Sequence, residues 1–95
     1  MHAQEALQIV LEKALAHLDR SKESDWAETP LEEQKQMIAK AIDALKNSQP
    51  IDKEALKAEF APIGSLQETA VSNRWGEEYI ALAEEFEELI ELINR

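Results

Sequence analysis

The sequence predicts an all-α fold, a small antiparallel bundle of three long helices and one or two short ones. Apolar residues recur at three- and four-residue spacings in three long stretches, which places them on one stripe of a helix with a 3.6-residue period. Helix-start signals stand ahead of the later stretches. The composition is dominated by Ala, Leu, Glu, Lys and Gln, with two glycines and three prolines. These are strong helix formers, and the turn residues of an all-β chain are scarce.

The first helix is expected over about residues 2–20, with Leu7, Val10, Leu11, Ala14, Leu15 and Leu18 as its stripe. A polar connection containing Trp26 follows. Thr29-Pro30-Leu31-Glu32 then reads as a helix start. Thr29 is the expected cap, Pro30 stands at the first position, where a missing N–H costs nothing, and Glu32 closes a capping box. This second helix runs to about Asn47 through Leu31, Ile38, Ala41, Ile42 and Leu45, with Gln34 and Met37 flanking the stripe. Pro50 ends the connection. Asp52 is the expected cap of a short third helix, and Ile51 and Leu56 have the spacing of a hydrophobic staple. Leu56, Phe60 and Ile63 are its expected inner face.

Ser65-Leu66-Gln67-Glu68 matches the capping box S/T-x-x-E and starts a second short helix to about Ser72. Asn73 is expected in a left-handed conformation that ends it. Trp75 and Gly76 form an elbow, with Gly76 allowing close backbone approach or loosening the next first turn. The last long helix carries Tyr79, Leu82, Ala83, Phe86, Leu89, Ile90 and Ile93 on one stripe, and it is expected to be the central element. Its mid-stripe Phe86 and Leu89 should be buried. Ile80 and Leu92 lie off the stripe and suggest a wide buried face or a second contact.

The 95 residues suit a single core and hence one domain, residues 1–95. There is no cysteine, so a disulfide, a thiolate zinc site and a cysteine nucleophile are excluded. The sequence shows neither a basic-and-apolar leader nor a long apolar run, which predicts a cytoplasmic protein without a membrane span. The formal charge is −10. Up to Asn47 there are nine acids and six bases, net −3; beyond it, eleven acids and four bases, net −7. Phosphate contacts need clustered lysine and arginine, so nucleic-acid binding is disfavoured.

No catalytic constellation is present. His17 lacks a serine or threonine partner of the kind a triad requires, and Gly64 and Gly76 stand alone rather than in a phosphate loop. The pairs Glu84 with Glu88 and Glu87 with Glu91 are each one turn apart. Dimetal bundles, however, combine inward-facing glutamates with Glu-x-x-His, a motif the chain lacks. The reading is therefore a protein that is not an enzyme and needs no cofactor.

What remains is the outer face of the last helix. Glu77, Glu78, Glu84, Glu85, Glu87, Glu88 and Glu91 stand there, and Arg95 is the one base of that segment. Carboxylates at i,i+3 and i,i+4 repel. Such a field favours a basic partner and speeds its encounter. The candidate partner-binding residues are Trp75, Glu77, Glu78, Glu84, Glu85, Glu88 and Glu91. Trp26 and Trp75 each fit either a core position or a contact. A second reading takes the acidic face as merely solubilising, with homodimerisation through Ile80, Leu92 and their neighbours.

The run Phe60-Ala61-Pro62-Ile63-Gly64-Ser65-Leu66-Gln67-Glu68, followed by Asn73-Arg74-Trp75-Gly76-Glu77-Glu78-Tyr79, resembles small acidic bacterial proteins of the immunity type. The resemblance covers about the last third of the chain. It implies a cytosolic protein that neutralises a toxin, often a basic nuclease, by binding it, with acidic side chains standing in for nucleic-acid phosphates.

Overall fold

The computed structural model describes residues 2–25, 27–61 and 64–93. Among them are five helices and no strand: α1 (Ala3–Asp19), α2 (Leu31–Lys46), α3 (Lys53–Glu59), α4 (Ser65–Ser72) and α5 (Gly76–Leu92). Three are long and two short, so the expected all-α bundle is what forms. The expected roles of Trp26, Ile63 and Arg95 lie outside the described residues.

Each long helix buries the stripe its periodicity predicts. From α1 these are Leu7, Val10, Leu11, Ala14 and Leu18, and from α2 Leu31, Ile38, Ala41, Ile42 and Leu45. From α5 they are Tyr79, Leu82, Phe86 and Ile90. Each buried leucine, isoleucine or phenylalanine contributes roughly 1.5–3 kcal/mol. Leu89 is only half-buried, at the edge of its stripe.

The centre of the bundle is α1, not α5. It packs extensively against both α2 and α5 and also touches α4, whereas α5 packs on α1 and α4. Lys35, early in α2, reaches Asp19 at the end of α1, with Nζ 3.9 Å from Oδ1. Trp75, at the start of α5, meets His17 and Ser21 at that same end of α1. Both neighbours therefore run against α1.

The helix ends differ from their local signals in instructive ways. Asp52 caps α3 as expected, its Oδ1 accepting from Ala55 N–H at 3.1 Å. The capping boxes at Thr29 and Ser65 do not form. Thr29 lies outside α2, whose N-cap is Pro30, and Ser65 is already inside α4, whose N-cap is Gly64. Their hydroxyls are drawn into long-range contacts instead: Ser65 Oγ accepts from Thr29 N–H at 2.9 Å, and Thr29 Oγ1 donates to Glu59 Oε1 at 3.1 Å. The first turn of α2 is served from a distance, with Glu23 Oε2 accepting from Leu31 N–H at 2.8 Å.

Two helices close with a Schellman motif built on a non-glycine residue. After α4, Trp75 N–H bonds Ala70 C=O at 2.9 Å and Arg74 N–H bonds Val71 C=O at 3.3 Å. After α2, Gln49 N–H bonds Ala44 C=O at 2.8 Å and Ser48 N–H bonds Leu45 C=O at 3.3 Å. The left-handed residues are Arg74, φ 66°, and Ser48, φ 54°. Asn73, expected in that role, has φ −109°. Its side chain instead clasps Lys22: Oδ1 accepts from Lys22 N–H at 2.8 Å, and Nδ2 donates to Lys22 C=O at 2.9 Å.

Gly64 has a steric role. A Cβ there would lie 2.7 Å from Glu59 O and 2.8 Å from Ala58 O, so the close return of the chain over the end of α3 excludes any larger residue.

Candidate functional site

The outer face of α5 is as acidic in three dimensions as in sequence. Glu77, Glu78, Glu84, Glu85, Glu87, Glu88 and Glu91 are all exposed. Tyr79, Phe86 and Ile90 on the opposite side turn inward and hold the helix to the bundle. From Glu77 to Glu91 the face extends about 20 Å at 1.5 Å per residue.

One of these carboxylates is neutralised from another helix, which the charges of its own segment do not show. Glu91 is clamped from α3: Lys57 Nζ lies 2.6 Å from its Oε1 and Lys53 Nζ 3.8 Å from its Oε2. The hydrogen bond to Glu91 is also the main cause of a raised Lys57 pKa, aided by the charges of Glu91 and Glu54 and opposed by burial. Among the described residues, the ion pairs on this face are those of Glu91. Also among the described residues, no group of three His, Cys, Asp or Glu is placed to hold a metal ion. No helix among them is long and apolar enough to cross a membrane.

Trp75, grouped with the acidic face by its place in the sequence, belongs to the core. It is 5% exposed. Its indole stacks on His17 with centroids 4.7 Å apart and planes 9° from parallel, and it meets Tyr79 edge-on at 6.2 Å. The indole Nε1–H donates to Ser21 Oγ at 2.9 Å, and the Ser21 hydroxyl donates to His17 C=O at 2.8 Å. His17 is thus half-buried as the wall of this indole site, which gives it a packing role.

Two further features depend on tertiary packing. The first is a cleft where α4 and the end of α3 meet α5. Phe60, Gln67, Tyr79, Ile80 and Ala83 line it, Glu84 and Glu87 stand with them, and its volume is about 190 Å³. Ile80 is 57% exposed at its mouth. Gln67 Oε1 is buried without a hydrogen-bond partner. The sequence signal was the off-stripe position of Ile80, but which elements flank it depends on tertiary packing.

The second is a polar cluster between α2, α3 and α4. Gln34 is fully buried; its Nε2 donates to Thr29 C=O at 2.7 Å, and its Oε1 accepts from Thr69 Oγ1 at 3.1 Å. Its place three residues after Leu31 and four before Ile38 could have marked it as inward-facing. Glu59, 8% exposed, accepts from Thr29 through Oε1, while its Oε2 is buried without a hydrogen-bond partner. Burial pushes the Glu59 carboxyl up; the Thr29 hydrogen bond opposes this and the Glu33 charge adds to it. Tyr79 is pushed up to about 12, mainly by burial and then by the charges of Glu59 and Glu87.

Comparison with known protein families, curated proteins and solved structures finds no match to the chain.

Proposed function

We propose that the protein is an acidic protein-binding module, an immunity-type inhibitor of a basic toxin, that docks through the exposed face of α5. The observation that supports this is the run of exposed glutamates from Glu77 to Glu88, for which the described residues supply no ion pair. Concentrating like charge on one helix costs stability, and a basic partner converts that cost into attraction and a faster encounter. Inhibition would follow from occupying the basic surface with which a nuclease holds phosphates. A cytoplasmic location fits such a role.

Homodimerisation through Ile80 and Leu92 fits less well. Both are exposed, at 57% and 54%. A two-fold dimer on this face would set its carboxylates against their own copies, a like-charge contact that disfavours association.

The test is affinity capture from the native host with the wild-type protein and with a Glu84→Gln, Glu87→Gln, Glu88→Gln variant. Glutamine keeps helix propensity and removes the charges. The proposal requires a basic protein that the wild type retains and the variant loses, with the variant's melting temperature unchanged or higher. The same set of proteins on both would contradict it and leave the acidic face as a solvated surface.

A further inference from the structure

An acidic face supplies attraction but little discrimination, because exposed charge pairs each contribute only a fraction of a kcal/mol. Specific interfaces add an apolar anchor seated in a pocket and ringed by polar groups. Two clefts flank α5: one over Phe86 and Ile90, where Lys57 and Glu91 stand as an ion pair, and one at Ile80 and Ala83, whose rim glutamates have no ion pair among the described residues. The cleft at Ile80 and Ala83 has the stacked Phe60 and Tyr79 rings in its wall. Its volume of about 190 Å³ exceeds the roughly 150 Å³ that accommodates a benzene molecule in an engineered apolar cavity. Glu84 and Glu87, both exposed, stand on its rim. Ile80 leaves more than half of its surface in water there. The wall also contains a buried acceptor without a partner, Gln67 Oε1.

Resting on the reading of α5 as the binding surface, we infer that this cleft is the anchor site for a basic partner segment, receiving one large apolar side chain while lysine or arginine residues beside it pair with Glu84 and Glu87. Charge complementarity selects the occupant. An acidic or neutral apolar segment would meet the Glu84 and Glu87 carboxylates unpaired, and a second copy of the chain would bring its own glutamates. A tryptophan or leucine flanked by cations satisfies both the apolar wall and the charged rim.

The probes are two synthetic peptides of equal charge, Gly-Lys-Lys-Trp-Lys-Lys-Gly and the same peptide with serine in place of tryptophan. Each is titrated into the 15N-labelled full-length chain at low salt, and affinity is measured by calorimetry. The inference requires the tryptophan peptide to bind at least about tenfold more tightly, with the largest amide shifts at Gln67, Ile80 and Ala83. Ile80→Ser, a change at an exposed position that the fold tolerates, should abolish that advantage and leave the serine peptide's affinity unchanged. Equal affinity of the two peptides, with shifts along Glu84 to Glu88 only, would overturn the anchor site and leave the acidic-face reading standing. Affinities of both peptides that are unchanged by Glu84→Gln with Glu87→Gln would keep an apolar site but overturn its charged rim. Failure of both peptides to bind would overturn both proposals.

Discussion

Phe60, at the C-terminal end of α3, lies flat against Phe86 in the middle of α5, with ring centroids 4.1 Å apart and planes 9° from parallel. Phe86 is 1% exposed and Phe60 3%. This pair joins the short helix to the last one beneath the acidic face, and the Lys57–Glu91 ion pair spans the same two helices at the surface. Phe86→Ala should therefore cost about 3–5 kcal/mol, the range for a buried phenylalanine. Urea denaturation measures it, and a loss below about 1 kcal/mol would show that the ring is not a core element.

The Trp75 indole depends on one hydroxyl. Ser21→Ala leaves the Nε1–H without its acceptor, and an unsatisfied buried donor costs about 1–3 kcal/mol. The matching measurement is chemical denaturation with the indole proton followed by NMR. An unchanged stability and indole shift would remove Ser21 from the account of this corner.

Glu59 predicts the direction of a pH effect. Its folded-state pKa lies above the ordinary 4.5 because burial disfavours the charged form. Its stabilising contribution is thus complete below the ordinary value and is lost as pH rises through the raised one. Glu59→Gln retains an acceptor for the Thr29 hydroxyl and has no charge to bury. Melting temperatures of the variant and wild type at pH 4 and pH 7.5 should show a gain at pH 7.5 that shrinks at pH 4. A gain confined to pH 4, or a loss at pH 7.5, would contradict the assignment.

Arg74 bears a left-handed conformation at φ 66° that glycine adopts without a Cβ penalty. Arg74→Gly should stabilise the protein by about 0.5–1 kcal/mol, the left-handed cost of about 1–2 kcal/mol less the extra entropy of an unfolded glycine. A decrease in the urea midpoint would mean that the arginine side chain makes a contact worth more than its backbone strain.

How much of this was legible in the sequence follows from the range of each interaction. The long helices were, because Leu7, Leu11, Leu18, Ile38, Ile42, Phe86 and Ile90 each share a stripe with neighbours three or four positions away. Asp52 was legible for the same reason, since its partner is Ala55. Thr29, Ser65 and Asn73 were not. Their local patterns are those of caps, but their side chains and N–H groups are claimed by partners 30 to 51 residues away. Placing α5 at the centre failed because periodicity reports how apolar a face is and not how many neighbours it has. For the candidate site, the glutamate face was legible residue by residue. The burial of Trp75 under His17, the clamp on Glu91 and the cleft at Ile80 all depend on which helices meet.

If the charge of α5 recruits a basic partner as proposed, the association rate of the partner captured from the host must depend on that charge. Stopped-flow measurements across rising salt, with wild type and with the Glu84→Gln, Glu87→Gln, Glu88→Gln variant, separate encounter from dissociation. Glu91 is left intact because its ion pair with Lys57 ties α3 to α5. The account predicts a wild-type rate that falls steeply with salt, and a variant that associates about tenfold more slowly at low salt and converges on wild type at high salt, since electrostatic steering raises on-rates by tenfold or more and is screened by ions. Equal rates for the two proteins, unaffected by salt, would contradict it.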